Sequence, residues 1–187
     1  LDGKERYVRI KETQIESRVI VLAEDVTAAT LERMRIERER DYDLLTGLYN
    51  RRAFYRFAGR VFDQPDKMKH AAVVMMDLDN LKRTNDTFGH EWGDRYIHEA
   101  AVCFLRSIPE ETLCARVSGD EFNILFYGYD SREAVQEAID RLISGVENSC
   151  FNLPDGTATR IHVSGGIAWY PDDGTEMMEL IKCADYA

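Results

Sequence analysis

ARVSGDEFNILFY, residues Ala115–Tyr127, decides how the rest of this 187-residue chain is read. Two apolar runs, LCARVS and FNILFY, flank the turn Ser118-Gly119-Asp120-Glu121, and Ser-Gly is a turn signal. The pattern predicts a tight β-hairpin with adjacent carboxylates at its tip. Taken alone, an exposed acidic turn accounts for it. The surrounding sequence has to say whether the acids have a chemical role.

Working outward, AAVVMMDLD (71–79) has the composition of a buried strand ending in acids. Helical spacing from Gly93 to Ile108 places Ile97, Ala101, Phe104 and Ile108 on one face. After the hairpin, SREAVQEAIDRLISGV lines up Ala134, Val135, Ala138, Ile139, Leu142 and Val146 as a second helical face. TRIHVSGGIAWY then predicts a strand, and EMMELIKCADYA a last helix. From residue 71 onward the order is β-α-β-β-α-β, a ferredoxin-like split βαβ core of the α/β (α+β) class. Its central antiparallel sheet would be flanked by helices. RRAFYRFAGRVF adds an amphipathic helix before the core, while LLTGLYN and DLDNLKRTNDTFGHEWGD are expected as loops.

Three segments follow. Residues 1–26 carry two strands around a polar turn, too short to bury a core, and are expected to end a preceding domain. Residues 27–44 form a charged helix with Asp25 or Thr27 as N-cap; Leu31 and Leu45 with Arg38 between them make a sparse heptad. A solvated connector fits this segment equally well. Residues 45–187 hold the main domain.

A net charge of −10 argues against extended nucleic acid as a partner, because phosphate neutralisation needs a basic face. A small anionic ligand is compatible if Lys, Arg or a divalent cation offsets its charge. The four cysteines show no CxxC spacing, consistent with reduced thiols in a cytoplasmic domain. No apolar run reaches membrane-spanning length, and no signal peptide opens the chain. The chain starts at Leu1 and stops inside a helical pattern, so a longer protein with an upstream membrane anchor or sensor is expected.

In the split βαβ arrangement the end of MMDLD and the SGDE turn share one end of the sheet, so Asp77 would approach Asp120 and Glu121. Clustered carboxylates repel one another unless a cation lies between them, and Mg²⁺, a hard ion that keeps water and phosphate oxygens in its shell, suits them. Unrelated surface acids are the alternative. Lys82 is placed to offset phosphate charge. Asn85 and Asp94 have the donors and acceptors that recognise guanine, although helix caps would use the same residues. His90 is open to a capping, packing or base-contacting role, and Arg116 either answers the acids or faces water.

LTGLYNRR, DLDNLKRTNDTFGHEWGD and SGDEF, in this order and spacing, resemble the GGDEF family of diguanylate cyclases over roughly Asp41 to Ala187. The resemblance implies a nucleotide-cyclase palm that joins two GTP molecules into cyclic di-GMP with release of pyrophosphate. It implies Asp77, Asp120 and the backbone carbonyl of Leu78 as ligands of Mg²⁺ (or Mn²⁺), two ions per site. Asp120 or Glu121 would assist deprotonation of the ribose 3′-hydroxyl, and Lys82 would stabilise transition-state charge. Asn85 and Asp94 would contact guanine with His90 nearby, and Ser118 and Gly119 would lie against the nucleotide. Each domain would hold one GTP, so the product requires a homodimer, with the charged helix setting its geometry. The strands before that helix resemble the end of a PAS sensor domain.

Departures from the family pattern define a competing hypothesis. Ser118 replaces the first glycine of the signature, and Asn80 and Leu81 stand where aromatics are common. The product-inhibition motif would need arginine at Pro109 and aspartate at Thr112, so that feedback site is expected to be missing. A Lys-containing continuation of the last helix, which contacts the triphosphate in the family, would follow Ala187. The alternative to an active cyclase is a catalytically silent GTP-binding, dimerising module that controls an attached domain, such as a cyclic di-GMP phosphodiesterase.

Overall fold

The chain folds as two units, Leu1–Arg40 and Asp41–Ala187; the computed structural model describes residues 5–16 and 18–187. In the first unit β1 (Val8–Ile15) and β2 (Arg18–Asp25) form the expected antiparallel hairpin, with Val8 opposite Asp25. Its apolar residues do not alternate toward a core. Val8, Ile10, Val21 and Leu22 are all more than half exposed. Helix α1 (Thr27–Asp41) starts where the Asp25 carboxylate accepts the Thr27 N–H at 2.9 Å, just ahead of the first helical bond, from the Thr30 N–H to the Val26 carbonyl. Leu31, Met34 and Ile36 are exposed along it, and an Arg35–Glu39 pair at 2.8 Å supports the helix locally.

The second unit opens with β3 (Tyr49–Asn50), α2 (Arg51–Phe62) and α3 (Pro65–Met68). β4 (His70–Leu78), α4 (Leu81–Phe88), α5 (His90–Ser107), β5 (Leu113–Ser118) and β6 (Glu121–Tyr129) follow. Then come α6 (Arg132–Glu147), the small pair β7 (Phe151–Asn152) and β8 (Ala158–Thr159), β9 (Val163–Tyr170) and α7 (Met177–Tyr186). The sheet order is β3-β5-β6-β4-β9, antiparallel throughout except for the parallel β3–β5 pair. β4 and β6 are therefore central, as a split βαβ core requires.

Strand alternation divides the interior into two layers. Phe122, Ile124 and Phe126 of β6 face Phe104 of α5 and Leu142 of α6. The rings of Phe104 and Phe122 meet edge-on at 5.1 Å. Leu125, Val73 and Ala168 face the other way, onto Phe54 of α2 and Leu180 of α7. Helix α7 lies very close to the sheet: a Cβ at Gly166 would sit 2.2 Å from the Ala184 carbonyl oxygen. A Cβ at Gly165 would sit 1.9 Å from the Met75 carbonyl oxygen, so neither position has room for a side chain.

Three sequence expectations change. LKRTNDTF is the helix α4 rather than a loop, because Leu81 and Thr84 bury one side of an otherwise polar helix of about two turns. Helix α5 begins at His90, not Gly93. The edge beside β5 is covered by β3, formed from a stretch expected as loop.

Candidate active site

The register of the central strands brings the acids together. Asp77 is the Cα partner of Glu121 across β4–β6 and of Ser164 across β4–β9. The Leu78 N–H donates to the Asp120 carbonyl at 2.9 Å, tying the end of β4 to the hairpin turn. Asp77, Asp120 and Glu121 are thus gathered at one end of the sheet. The Asp77 carboxyl is raised above the usual aspartate range, first by burial and then by the charges of Asp120, Glu121 and Asp79.

Around the turn the supports are polar and specific. Gly119 has φ 27°, a conformation L side chains rarely adopt, and leaves open space where a Cβ would point. Its carbonyl accepts from Arg116 Nε at 2.9 Å, and the Arg116 guanidinium also pairs with Asp43 at 3.3 Å. Asp43 Oδ1 in turn accepts from the Thr46 N–H at 2.9 Å and from the Thr46 hydroxyl at 2.7 Å. Arg116 therefore answers Asp43 and the turn backbone. Ser118 Oγ donates to Glu121 Oε2 at 2.6 Å, so the departure from glycine places a hydroxyl on one of the candidate catalytic oxygens.

Two residues link β4 to α4. Asp79 accepts from the Ser164 hydroxyl at 2.9 Å through both carboxylate oxygens, and Asn80 turns the chain at φ 65° in the left-handed region. Lys82 follows, exposed, on the first turn of α4. Asn85 lies inside α4, so the capping alternative for it falls away. Its amide rests on α5 so tightly that a Cβ on Gly93 would lie 1.9 Å from Asn85 Oδ1. Asp94 is the next residue of α5 and is exposed, and His90 is exposed at the start of that helix. The α4–α5 pair thus brings Asn85 beside the Gly93–Asp94 step.

A cleft of about 290 Å³ is lined by Asp77, Glu121, Ser164, Gly166 and Ala184 among others. Among the described residues no group of three or more His, Cys, Asp or Glu side chains closes into a metal cage. The donors present are nevertheless hard oxygens gathered at one end of the sheet. Such a set fits a divalent cation that completes its shell with water, backbone and substrate oxygens. Asn123, a buried amide on β6, has no side-chain hydrogen-bond partner among the described residues; its only signal in the sequence is a polar residue inside FNILFY.

Comparison with known proteins gives a consistent answer. An uncharacterised membrane protein of Staphylococcus aureus is 31% identical over 153 residues, 81% of this chain and 43% of its own length. The chain therefore spans less than half of such curated relatives. Among solved structures, a sensory box/GGDEF family protein from Caulobacter crescentus superposes with a TM-score of 0.69 at 31% identity, covering 79% of this chain and 94% of that one. The coiled coil and GGDEF domain of DgcB from the same organism, in complex with c-di-GMP, gives 0.70 at 25% identity, covering 86% and 87%. The family model for the diguanylate cyclase GGDEF domain matches residues 40–187. With the acids gathered at the hairpin turn and these matches spanning the second unit, the chain belongs to the GGDEF family.

Proposed function

We propose that the domain is an active diguanylate cyclase, condensing two GTP into cyclic di-GMP and two pyrophosphates across a homodimer. The observation that carries this reading is the pairing of Asp77 with Glu121 beside the Asp120 turn, with Asp77 raised first by burial and then by its acidic neighbours. Asp77, Asp120 and the Leu78 carbonyl would hold Mg²⁺ or Mn²⁺. When bound, the ion supplies charge neutralisation and Lewis acidity toward phosphate oxygens.

The protein's own groups account for the rest. Asp120 or Glu121 accepts the ribose 3′-hydroxyl proton as that oxygen attacks the α-phosphorus of the GTP held by the other subunit. Lys82 offsets charge growing on the phosphate oxygens. The Asp94 carboxylate accepts from the guanine ring N–H and amino group, the Asn85 amide offers a donor and an acceptor, and His90 flanks them. Gly119 and Ser118 bring the turn backbone against the nucleotide. Each attack expels one pyrophosphate, and two reciprocal attacks close the ring.

The Ser118–Glu121 hydrogen bond favours a second reading, a silent GTP-binding module that regulates an attached domain, because it engages one oxygen of Glu121. In both readings the first 26 residues end a PAS-like sensor, and α1 sets the distance between facing domains. The whole protein would place this domain in the cytoplasm, below any upstream anchor. The deciding experiment incubates the chain with GTP and Mg²⁺ and separates the products by chromatography. Cyclic di-GMP that vanishes in Asp120→Asn supports the cyclase. Saturable Mg²⁺-dependent GTP binding without product, together with turnover appearing in Ser118→Gly, supports the silent module.

A further inference from the structure

Helix α4 carries polar chemistry on two sides. At about 100° per residue, Lys82 and Asn85 fall on one face, and Arg83 and Thr87 fall on the far one. The first face holds candidate GTP contacts. The second is one wall of a separate cleft of about 420 Å³, which shares no lining residue with the acidic cleft. Tyr96 of α5, the β7–β8 hairpin and His162, just ahead of β9, make its other walls. A volume of this size accommodates a small metabolite.

The nitrogen donors facing this cleft are unanswered. Neither the Arg83 guanidinium nor the His162 ring has a hydrogen-bond, ion-pair or ring partner among the described residues, and the Thr87 hydroxyl, one turn after Arg83, has none either. The chain has a net charge of −10, and Arg6, Arg9, Arg35, Arg56, Arg116 and Arg132 each find a carboxylate. Arg83 stands apart from them. One acid, Asp155, also lines the cleft. Its Oδ1 accepts from the Thr157 N–H at 2.9 Å and from the Thr157 hydroxyl at 2.6 Å, which leaves Oδ2 for an outside donor. Guanidinium and imidazole N–H groups match phosphate oxygens, and a carboxylate oxygen matches a hydroxyl. An anion seated against Asp155 would be repelled, so the two ends of the cleft select different ends of a ligand. Phe88 and Leu153, both half-buried, supply an apolar floor between them.

The walls are held differently. The His162 N–H donates to the Tyr96 hydroxyl at 3.1 Å, and the His162 carbonyl accepts from the Asp79 N–H at 2.9 Å. Phe151 of the hairpin packs edge-on against Tyr96 at 5.2 Å. Helix α4, in contrast, is bounded by two residues in the positive-φ region, Asn80 at 65° and Gly89 at 89°, and Asn80 makes no side-chain cap bond. A ligand spanning Arg83 and His162 ties α4 to the fixed wall, and Lys82 and Asn85 ride on the same two turns.

We propose that this cleft is a second binding site, for a small phosphorylated ligand bearing hydroxyl groups, with its phosphate on Arg83 and His162 and a hydroxyl on Asp155. A sugar phosphate is the simplest member of that class. Its occupancy braces α4 and so tightens GTP on the opposite face. This bracing rests on the reading of Asn85 and Asp94 as guanine contacts.

The test titrates ribose 5-phosphate and inorganic phosphate into the protein by calorimetry, alone and then with a non-hydrolysable GTP analogue and Mg²⁺. Ribose 5-phosphate is expected to bind at one saturable site, more tightly than inorganic phosphate. Arg83→Gln should weaken it about tenfold, the loss of one charge-assisted contact, while Lys82→Gln on the other face leaves it unchanged. With ribose 5-phosphate saturating, the GTP analogue should bind about fivefold more tightly, a gain missing from Arg83→Gln, whose affinity for the analogue alone stays that of wild type. Failure of both probes to bind overturns the proposal. So does binding that survives Arg83→Gln and is lost in Lys82→Gln, because the phosphate then sits on the catalytic face. Ribose 5-phosphate no tighter than inorganic phosphate overturns the role of Asp155, and an analogue affinity indifferent to ribose 5-phosphate overturns the bracing of α4. Binding of ribose 5-phosphate by a protein that takes up no GTP analogue supports the second site and overturns the reading of the guanine contacts.

Discussion

Asp77 carries the clearest conflict between stability and function. Folding raises its carboxyl above the ordinary range, so the folded state holds that proton more tightly than the unfolded chain does. Stability from this group is present at low pH and lost as pH climbs through the raised value, which leaves an ionised Asp77 working against the fold at neutrality. Asp77→Asn is expected to raise the melting temperature at pH 7 without divalent cations by about 1–2 °C, a small effect because the site is solvated. The same variant should lose the Mg²⁺-dependent thermal shift and all turnover. Differential scanning fluorimetry with and without EDTA measures both. Cys114 runs by the same sign at the other end of the scale. Complete burial pushes its thiol up to about 12 from an ordinary value of 9.0. The contribution is intact below pH 9 and declines between pH 9 and 12, as ionisation in the unfolded chain draws the equilibrium over. Cys114→Val, with a β-branched side chain suited to its strand, should flatten that alkaline decline in melts recorded across the range.

Between elements, single contacts set the site. Arg116 joins the signature turn to Asp43 in the loop two residues beyond α1, and its side chain is only 16% exposed. Arg116→Ala removes three hydrogen bonds to charged or backbone oxygens and should cost about 2 kcal/mol, or about 4–8 °C in melting temperature. Arg116→Lys should recover the ion pair but not the Gly119 bond, so stability returns further than turnover. At the α4–α5 crossing, the Cβ of Gly93→Ala would displace the Asn85 amide, the far end of a flexible side chain. The fold should tolerate this within about 1 kcal/mol, because side-chain relocation is cheap beside core disruption. The KM for GTP should rise severalfold with kcat less affected, measurable in steady-state assays. These contacts also mark where reading the sequence stopped. The strands and long helices were legible because each repeats its apolar residues at period 2 or 3.6 over enough length. The acids were legible because two strand ends announce them. Helix α4 was not, since LKRTNDTF presents only Leu81 and Thr84 to the interior. Nor was β3, whose two residues are a strand only because β5 lies alongside. Arg116 could not be assigned, because its partner Asp43 lies 73 residues away.

For the molecule as a whole, the two units differ in what holds them. The second has two buried layers around a five-stranded sheet, whereas strand β2 of the first is exposed along its length. Exchange of the β1–β2 amides is therefore expected to outpace that of β4 and β6 by orders of magnitude, as hydrogen-exchange mass spectrometry would record. Feedback by product also belongs to this scale. Where the family's inhibitory arginine and aspartate would stand, Pro109 and Thr112 share a cleft with Glu110, Glu111, Tyr127 and Tyr129. Two glutamates there disfavour an anionic dinucleotide, so initial rates should be indifferent to added cyclic di-GMP at concentrations below competition with GTP. Finally, the space denied to any side chain at Gly165 and Gly166 reaches beyond this one molecule. As such domains drift over generations, both positions should hardly vary even in members that have lost every catalytic group. A survey that ranked positions by invariance alone would score them beside Asp77 and Asp120, mistaking the clearance between a helix and a sheet for chemistry.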